Sequence, residues 1–140
     1  MEKRNPKVLG KQDGGPEPGY RWHCLGLDEC HDDAKKKLTD AEHGHVKHLA
    51  RTLAQEQNPT HSELCDVKAI EDFFELRDKG GVLGKKNIRL FFGMDKKRGA
   101  IVLLGLELKK NDGATLQSVK IKIRRRWRKY LQGEYDEPNL

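Results

Sequence analysis

Two apolar runs joined by a short charged segment dominate the second half of the chain. The first run is residues 88–94 (IRLFFGM), the charged segment is residues 95–99, and the second run is residues 100–108 (AIVLLGLEL). The runs are rich in the aliphatic, β-branched and aromatic residues that strands prefer, and the connection has a length typical of a hairpin. The sequence therefore predicts an antiparallel hairpin here.

A helical pattern follows the loop at residues 109–115. Apolar side chains recur at steps of three and four residues, at Leu116, Val119, Ile123, Trp127 and Tyr130. Most positions between them are Lys or Arg, so one side of the predicted helix packs while the rest presents cations. Trp127 lies on the apolar stripe, which favours a core position over a surface for stacking bases.

The first half contains a predicted strand at residues 20–27 (YRWHCLGL) and a predicted helix that begins after Thr39. Thr39 and Glu42 have the spacing of a capping box, and the helix should end near Pro59. A shorter helical piece is expected at residues 33–38.

Residues 62–77 leave two alternatives open. Leu64, Val67 and Ile70 have helical spacing, whereas Phe74 and Leu76 alternate with charged residues as in a strand. The two alternatives imply different folds.

Charge is distributed unevenly along the chain. Residues 75–130 contain 17 Lys and Arg against 5 Asp and Glu, a net charge of +12, so the remainder carries −6 to give the total of +6. A basic half of this kind predicts an anionic partner, more often the phosphate backbone of a nucleic acid than an acidic protein.

The chain of 140 residues fits one domain. We interpret residues 1–19, rich in Pro and Gly, as a flexible arm, residues 20–131 as a single domain, and residues 132–140 as an acidic tail. No run is apolar enough for a signal peptide or a membrane span, and three cysteines are too few for a disulfide framework. These features predict a cytoplasmic protein that does not bind membranes.

Six histidines and three cysteines raise the question of a metal site. Their spacing contains no CxxC or HxxxH pair, so we expect no metal, and we interpret His45 and His48 as lying on a solvated helix face. The chain also lacks the glycine-rich phosphate-binding and dinucleotide-binding motifs, so we expect no cofactor.

Four segments together resemble the RelE/ParE superfamily, and most closely its HigB-like branch, which is related to phage proteins. These are FFELR (73–77), IRLFF (88–92), IVLLGLELKKNDG (101–113) and RRRWRKY (124–130). The resemblance implies an α+β fold in which a small, twisted, mostly antiparallel sheet is flanked by N-terminal helices and a basic C-terminal helix. It also implies a strand within residues 66–77.

Functionally, the resemblance implies the toxin of a type II toxin–antitoxin system. Such a toxin is a metal-independent endoribonuclease that cleaves mRNA at the ribosome and is inhibited by a cognate antitoxin. The chain departs from the family pattern in its arm, in its tail and at Glu107, where many relatives have an aromatic residue. The alternative is a noncatalytic nucleic-acid-binding or partner-binding regulator of phage origin on the same fold.

Four cations are candidates for catalysis on RNA. Arg77 and Arg89 would clamp a phosphate with their planar guanidinium groups, and Lys109 and Lys110 would balance the charge that develops on the transition-state oxygens. A structural ion pair with Glu75 or Asp78 is an equally good interpretation of Arg77, and a solvated strand end is an equally good interpretation of the two lysines.

A proton-transfer group is harder to assign, because residues 75–130 contain no histidine. Tyr130, Glu75 or a lysine with a depressed pKa are the candidates, and Tyr130 is included in the predicted site. Four arginines are predicted to bind RNA phosphates: Arg124, Arg125, Arg126 and Arg128. The alternative is a basic helix that is merely solvated.

Overall fold

A computed structural model describes residues 7–8, 20–79, 87–109 and 113–133 of the chain, and every structural statement below concerns this part. The strands are β1 (Lys7–Val8), β2 (His23–Gly26), β3 (Asp66–Ala69), β4 (Phe74–Lys79), β5 (Asn87–Asp95) and β6 (Ala100–Lys109). The α-helices are α1 (Asp28–Lys37), α2 (Asp40–Gln55) and α3 (Gln117–Leu131), and a 3₁₀ turn occupies Pro59–His61.

The strands form one sheet in the order β1-β2-β6-β5-β4-β3, in which only the β2–β6 pair is parallel. The expected α+β architecture with a mostly antiparallel sheet is confirmed. The predicted hairpin is also confirmed: β5 pairs with β6 from Asp95 opposite Ala100 to Asn87 opposite Lys109. Gly99 closes the turn with a φ of +62°, a conformation that costs glycine little.

Side chains of the central strands alternate between two cores. Cys30, Ala50 and Leu53 of α1 and α2 pack on one face of the sheet, against the even-numbered residues of β5. On the opposite face α3 packs through four buried residues, Val119, Ile123, Trp127 and Tyr130. Trp127 is 4% exposed, which confirms its predicted core position, whereas Leu116 is 63% exposed and lies at the helix N-cap rather than on the buried stripe.

In the first half of the chain, α2 lies near its predicted position, whereas α1 begins earlier than expected. Thr39 and Glu42 form the predicted capping box, with hydrogen bonds of 2.7 and 3.2 Å between their side chains and backbone N–H groups. α2 ends at Gln55, a few residues before the expected stop at Pro59. α1 begins at Asp28 rather than near residue 33, and its first turn carries Asp28 and Glu29, whose charges favour a helix N-terminus.

The ambiguity at residues 62–77 is resolved in favour of strands. β3 and β4 pair as neighbours, with Val67 opposite Leu76. The helical alternative is wrong for this segment, and Leu64, one of its supposed apolar positions, is 76% exposed.

Most of the predicted N-terminal arm and all but two residues of the predicted acidic tail lie outside the described residues. Within the arm, Lys7 and Val8 pair with Gly26 and Leu25 as the two-residue strand β1. None of the helices in the described ranges is both long enough and apolar enough to cross a membrane.

Replacement of Gly93 by alanine should destabilise the protein. An added Cβ would come within 2.5 to 2.7 Å of the Trp127 ring, and overpacking of this kind costs about 1–3 kcal/mol. Gly44, inside α2, has open space around it, so Gly44→Ala should instead stabilise by about 1 kcal/mol through helix propensity. Urea unfolding of both variants tests the prediction; equal stabilities would contradict the close packing of Trp127 on β5.

Candidate nucleic-acid interface

A buried polar cluster lies near the end of the sheet where β6 leads into α3. Arg77 of β4 pairs in register with Arg89 of β5, which pairs in turn with Glu107 of β6. Arg89 is 0% exposed, although it carries a full charge. A buried charge must be compensated by partners, so its contacts determine what it can do.

Arg89 is held entirely by the protein. Its guanidinium donates to Thr115 Oγ1 at 2.9 Å and to the Gly113 carbonyl at 2.5 Å. Glu75, also fully buried, accepts from Thr115 Oγ1 and from Arg77 Nε, both at 2.5 Å. The proposed phosphate clamp formed by Arg77 and Arg89 does not fit this arrangement, because Arg89 is inaccessible and Arg77 is the structural partner of Glu75.

Lys109 contacts the same loop from β6. Its ammonium donates to the Gly113 carbonyl at 3.2 Å and to the Ala114 carbonyl. The structure thus brings Arg77, Arg89 and Lys109 together around residues 113–115. Lys110 lies outside the described residues.

Tyr130 lies elsewhere. Its hydroxyl donates to Asp95 Oδ2 at 2.7 Å and accepts from Arg98 Nη1 at 2.8 Å, beside the β5–β6 turn. Lys109 pairs with Asn87 at the other end of the nine-residue strand β5. The length of this strand places Asn87 roughly 25 Å from the turn. Burial and the carboxylate of Asp95 raise the pKa of Tyr130, so it does not fit the role of a proton donor to a site at Lys109.

Arg126 is also structural rather than available to RNA. It donates to Asp33 Oδ2 at 2.8 Å and to the Leu104 carbonyl at 2.9 Å, and its side chain is 14% exposed. Gly105 makes room for this contact, since an added Cβ would lie 2.5 Å from Arg126 Nη1. The prediction that Arg126 binds RNA does not fit this geometry.

The other three arginines of α3 lie toward solvent. Arg124 forms a bidentate pair with Glu71, with Nε at 2.5 Å from Oε2, and these hydrogen bonds lower the pKa of the Glu71 carboxyl. Arg125 and Arg128 are exposed. They line a shallow groove together with Ile121, Lys129 and Gln132.

This groove adjoins another at the β5–β6 turn. Gln132 also lines an adjacent groove, which contains Lys96, Lys97 and Arg98. Two of the cations along these grooves, Arg98 and Arg124, form ion pairs with acidic side chains. We call the other five the cationic band: Lys96, Lys97, Arg125, Arg128 and Lys129. The sequence shows that the turn is charged but does not place it near α3, because their proximity depends on how the helix packs.

The cysteines and histidines do not form a metal site among the described residues, where no group of three or more potential ligands converges. Burial raises the pKa of both Cys24 and Cys30 to about 12, so these thiols are protonated at neutral pH and are poor zinc ligands. His48 is exposed, as predicted. His45 is not on a solvated face: its Nε2 lies 3.0 Å from Asp78 Oδ2, which joins α2 to β4.

Comparison of the chain with protein-family models, with curated proteins and with solved structures found no match.

Replacement of Arg89 by alanine should unfold the protein at markedly lower denaturant. Removal of one partner from a buried ionic network leaves the others unpaired and costs ~3–5 kcal/mol. Arg125→Ala, which removes an exposed arginine, should change stability by less than about 0.5 kcal/mol. Urea titrations followed by circular dichroism test both values, and equal stability of the two variants would contradict a structural role for Arg89.

Proposed function

We propose that the protein binds RNA through the cationic band and recognises the phosphate backbone there. The observation that carries the proposal is the division of the basic residues of α3. Arg126 is hydrogen-bonded to Asp33 inside the protein, and Arg124 is hydrogen-bonded to Glu71. Arg125 and Arg128 remain exposed beside Lys129. If the cations served only to keep α3 soluble, they would not need neighbours outside the helix. Exposed lysines nevertheless lie beside it at the hairpin turn, at Lys96 and Lys97.

The electrostatics of the band suit a polyanion. The five cations of the band and two further arginines, Arg98 and Arg124, line the two adjacent grooves, and among the described residues that line them Asp95 is the only acidic one. Asp95 accepts a hydrogen bond from the Tyr130 hydroxyl and lies 3.9 Å from Arg98, which offsets its charge. Contacts of this type release counterions from a nucleic acid, so affinity depends steeply on salt and weakly on sequence.

Arg125→Ala and Arg128→Ala should each weaken RNA binding by a similar factor for every RNA sequence. Each lost phosphate contact should also reduce the slope of log affinity against log salt by about 0.7, the value for single strands. Lys36→Ala, which removes an exposed lysine from α1, should leave both quantities unchanged. Fluorescence anisotropy with labelled RNA at several salt concentrations measures them; a wild-type protein that binds no RNA would refute the proposal.

A second candidate is the endoribonuclease toxin that the resemblance to the RelE/ParE superfamily implies. The position of Lys109, a predicted catalytic cation, beside residues 113–115 supports it, whereas Arg77 and Arg89 there do not fit the predicted phosphate clamp. Lys109 is the most accessible of the three, because Arg77 is hydrogen-bonded to the buried Glu75 and Arg89 to Thr115. A cognate antitoxin, if this candidate is correct, would be expected to cover the basic surface.

Bacterial expression distinguishes cleavage from binding alone. If Lys109 takes part in chemistry, induction of the wild type should arrest growth and create new 5′ ends in cellular messages, and Lys109→Ala should abolish both effects. Lys36→Ala provides the control, since it removes an exposed lysine of α1 that lies outside the cationic band. Normal growth with abundant, folded wild-type protein and unchanged message ends would refute cleavage and leave the binding proposal intact.

A further inference from the structure

A third groove contains aromatic side chains on the surface. Its apolar walls come from three half-buried residues on separate elements, Trp22, Phe74 and Met94. Polar groups line the same groove: Asn58, Thr60 and Asp72. Accessible aromatic faces beside hydrogen-bonding groups are what proteins use to hold an unpaired nucleobase.

The aromatic walls are fixed in place. The Trp22 indole donates to the Glu56 carbonyl at 3.0 Å, and the backbone N–H of Trp22 donates to the Ala54 carbonyl at 3.1 Å. The Phe74 ring stacks on Phe92 with a centroid distance of 5.6 Å and an angle of 26°. A ligand that enters this groove therefore meets rings that are already ordered, which lowers the entropic cost of binding.

The groove adjoins the part of the cationic band at the β5–β6 turn. Met94 and Lys96 line both this groove and the one at the β5–β6 turn, which Gln132 joins to the groove on α3. A strand whose phosphates follow the band from Arg128 to Lys96 would thus reach the aromatic groove at its end.

We propose that this groove binds a nucleobase of a single-stranded nucleic acid whose phosphates lie on the cationic band. The inference rests on the RNA-binding function proposed above. A base in a duplex has both faces covered by its neighbours, so only an unpaired or flipped-out base can stack against Trp22 or Phe74. The Asp72 carboxylate, at the rim, can accept hydrogen bonds from amino groups on the base edge.

The test compares two labelled probes by fluorescence anisotropy: an adenosine RNA decamer and a decamer of the same ribose–phosphate backbone without bases. Stacking of one base should make the RNA bind at least about fivefold tighter than the abasic chain. Trp22→Ala should reduce this ratio to near one, and Trp22→Phe, which retains a ring, should preserve most of it.

Tryptophan emission gives a second readout that needs no variant. Trp127 is buried at 4% exposure, so quenching by RNA but not by the abasic chain would report on Trp22. Equal affinity for both probes with unchanged emission would overturn the proposal that a base binds in this groove. The proposed binding of phosphates to the cationic band would be unaffected. Tighter RNA binding that persists in a folded Trp22→Ala variant would also overturn it, since the base would then stack elsewhere. Failure of both probes to bind would refute the proposed function itself.

Discussion

The β5–β6 pair is apolar on both of its faces, and the rest of the structure follows from the need to cover both. Leu90 and Phe92 face one core, while Phe91, Val102 and Leu104 face the other. Strands that are apolar on both sides are stable only between two layers of other elements. α1 and α2 form one layer and α3 forms the other, so the basic helix is held against the sheet by four buried side chains.

Docking of α3 determines which of its cations remain available. β2 pairs with β6 only as far as Leu103, and beyond that point α1 lies beside β6. The Leu106 N–H donates to Asp33 Oδ2 at 3.3 Å, and Arg126 donates to both Asp33 and the Leu104 carbonyl. Arg126 therefore completes an edge of the sheet, while Arg125, its neighbour in sequence, lies on the outside.

The two ends of the β5–β6 pair have different chemical character. Near Lys109 the arginines are bonded within the protein, with the buried Glu75 and Thr115 between them. Near the turn the cations are exposed, and they continue along α3 and toward the aromatic groove. The proposed binding of a polyanion therefore fits the turn better, and the proposed cleavage at the opposite end would depend on the more accessible Lys109.

Local patterns in the sequence were sufficient for the elements that short-range physics controls. The hairpin, the capping box of α2 and the buried stripe of α3 follow from strand propensity, side-chain capping and helical periodicity, all of which act over a few residues. The strand pair β3–β4 could not be obtained from pattern alone, because its short strands also matched a helix. Only the resemblance implied a strand there.

The sequence by itself determined that the chain carries a hairpin, helices on both sides of it in the sequence, and a strongly basic second half. Only the tertiary structure determined which charged side chains are buried or bonded within the protein. Arg89, Arg125 and Arg126 look alike in the sequence, yet one is buried at 0% exposure, one is exposed and one closes a sheet edge. The reason is that burial of a charge depends on partners such as Thr115 and Asp33, which are distant in sequence and meet it only when the layers pack.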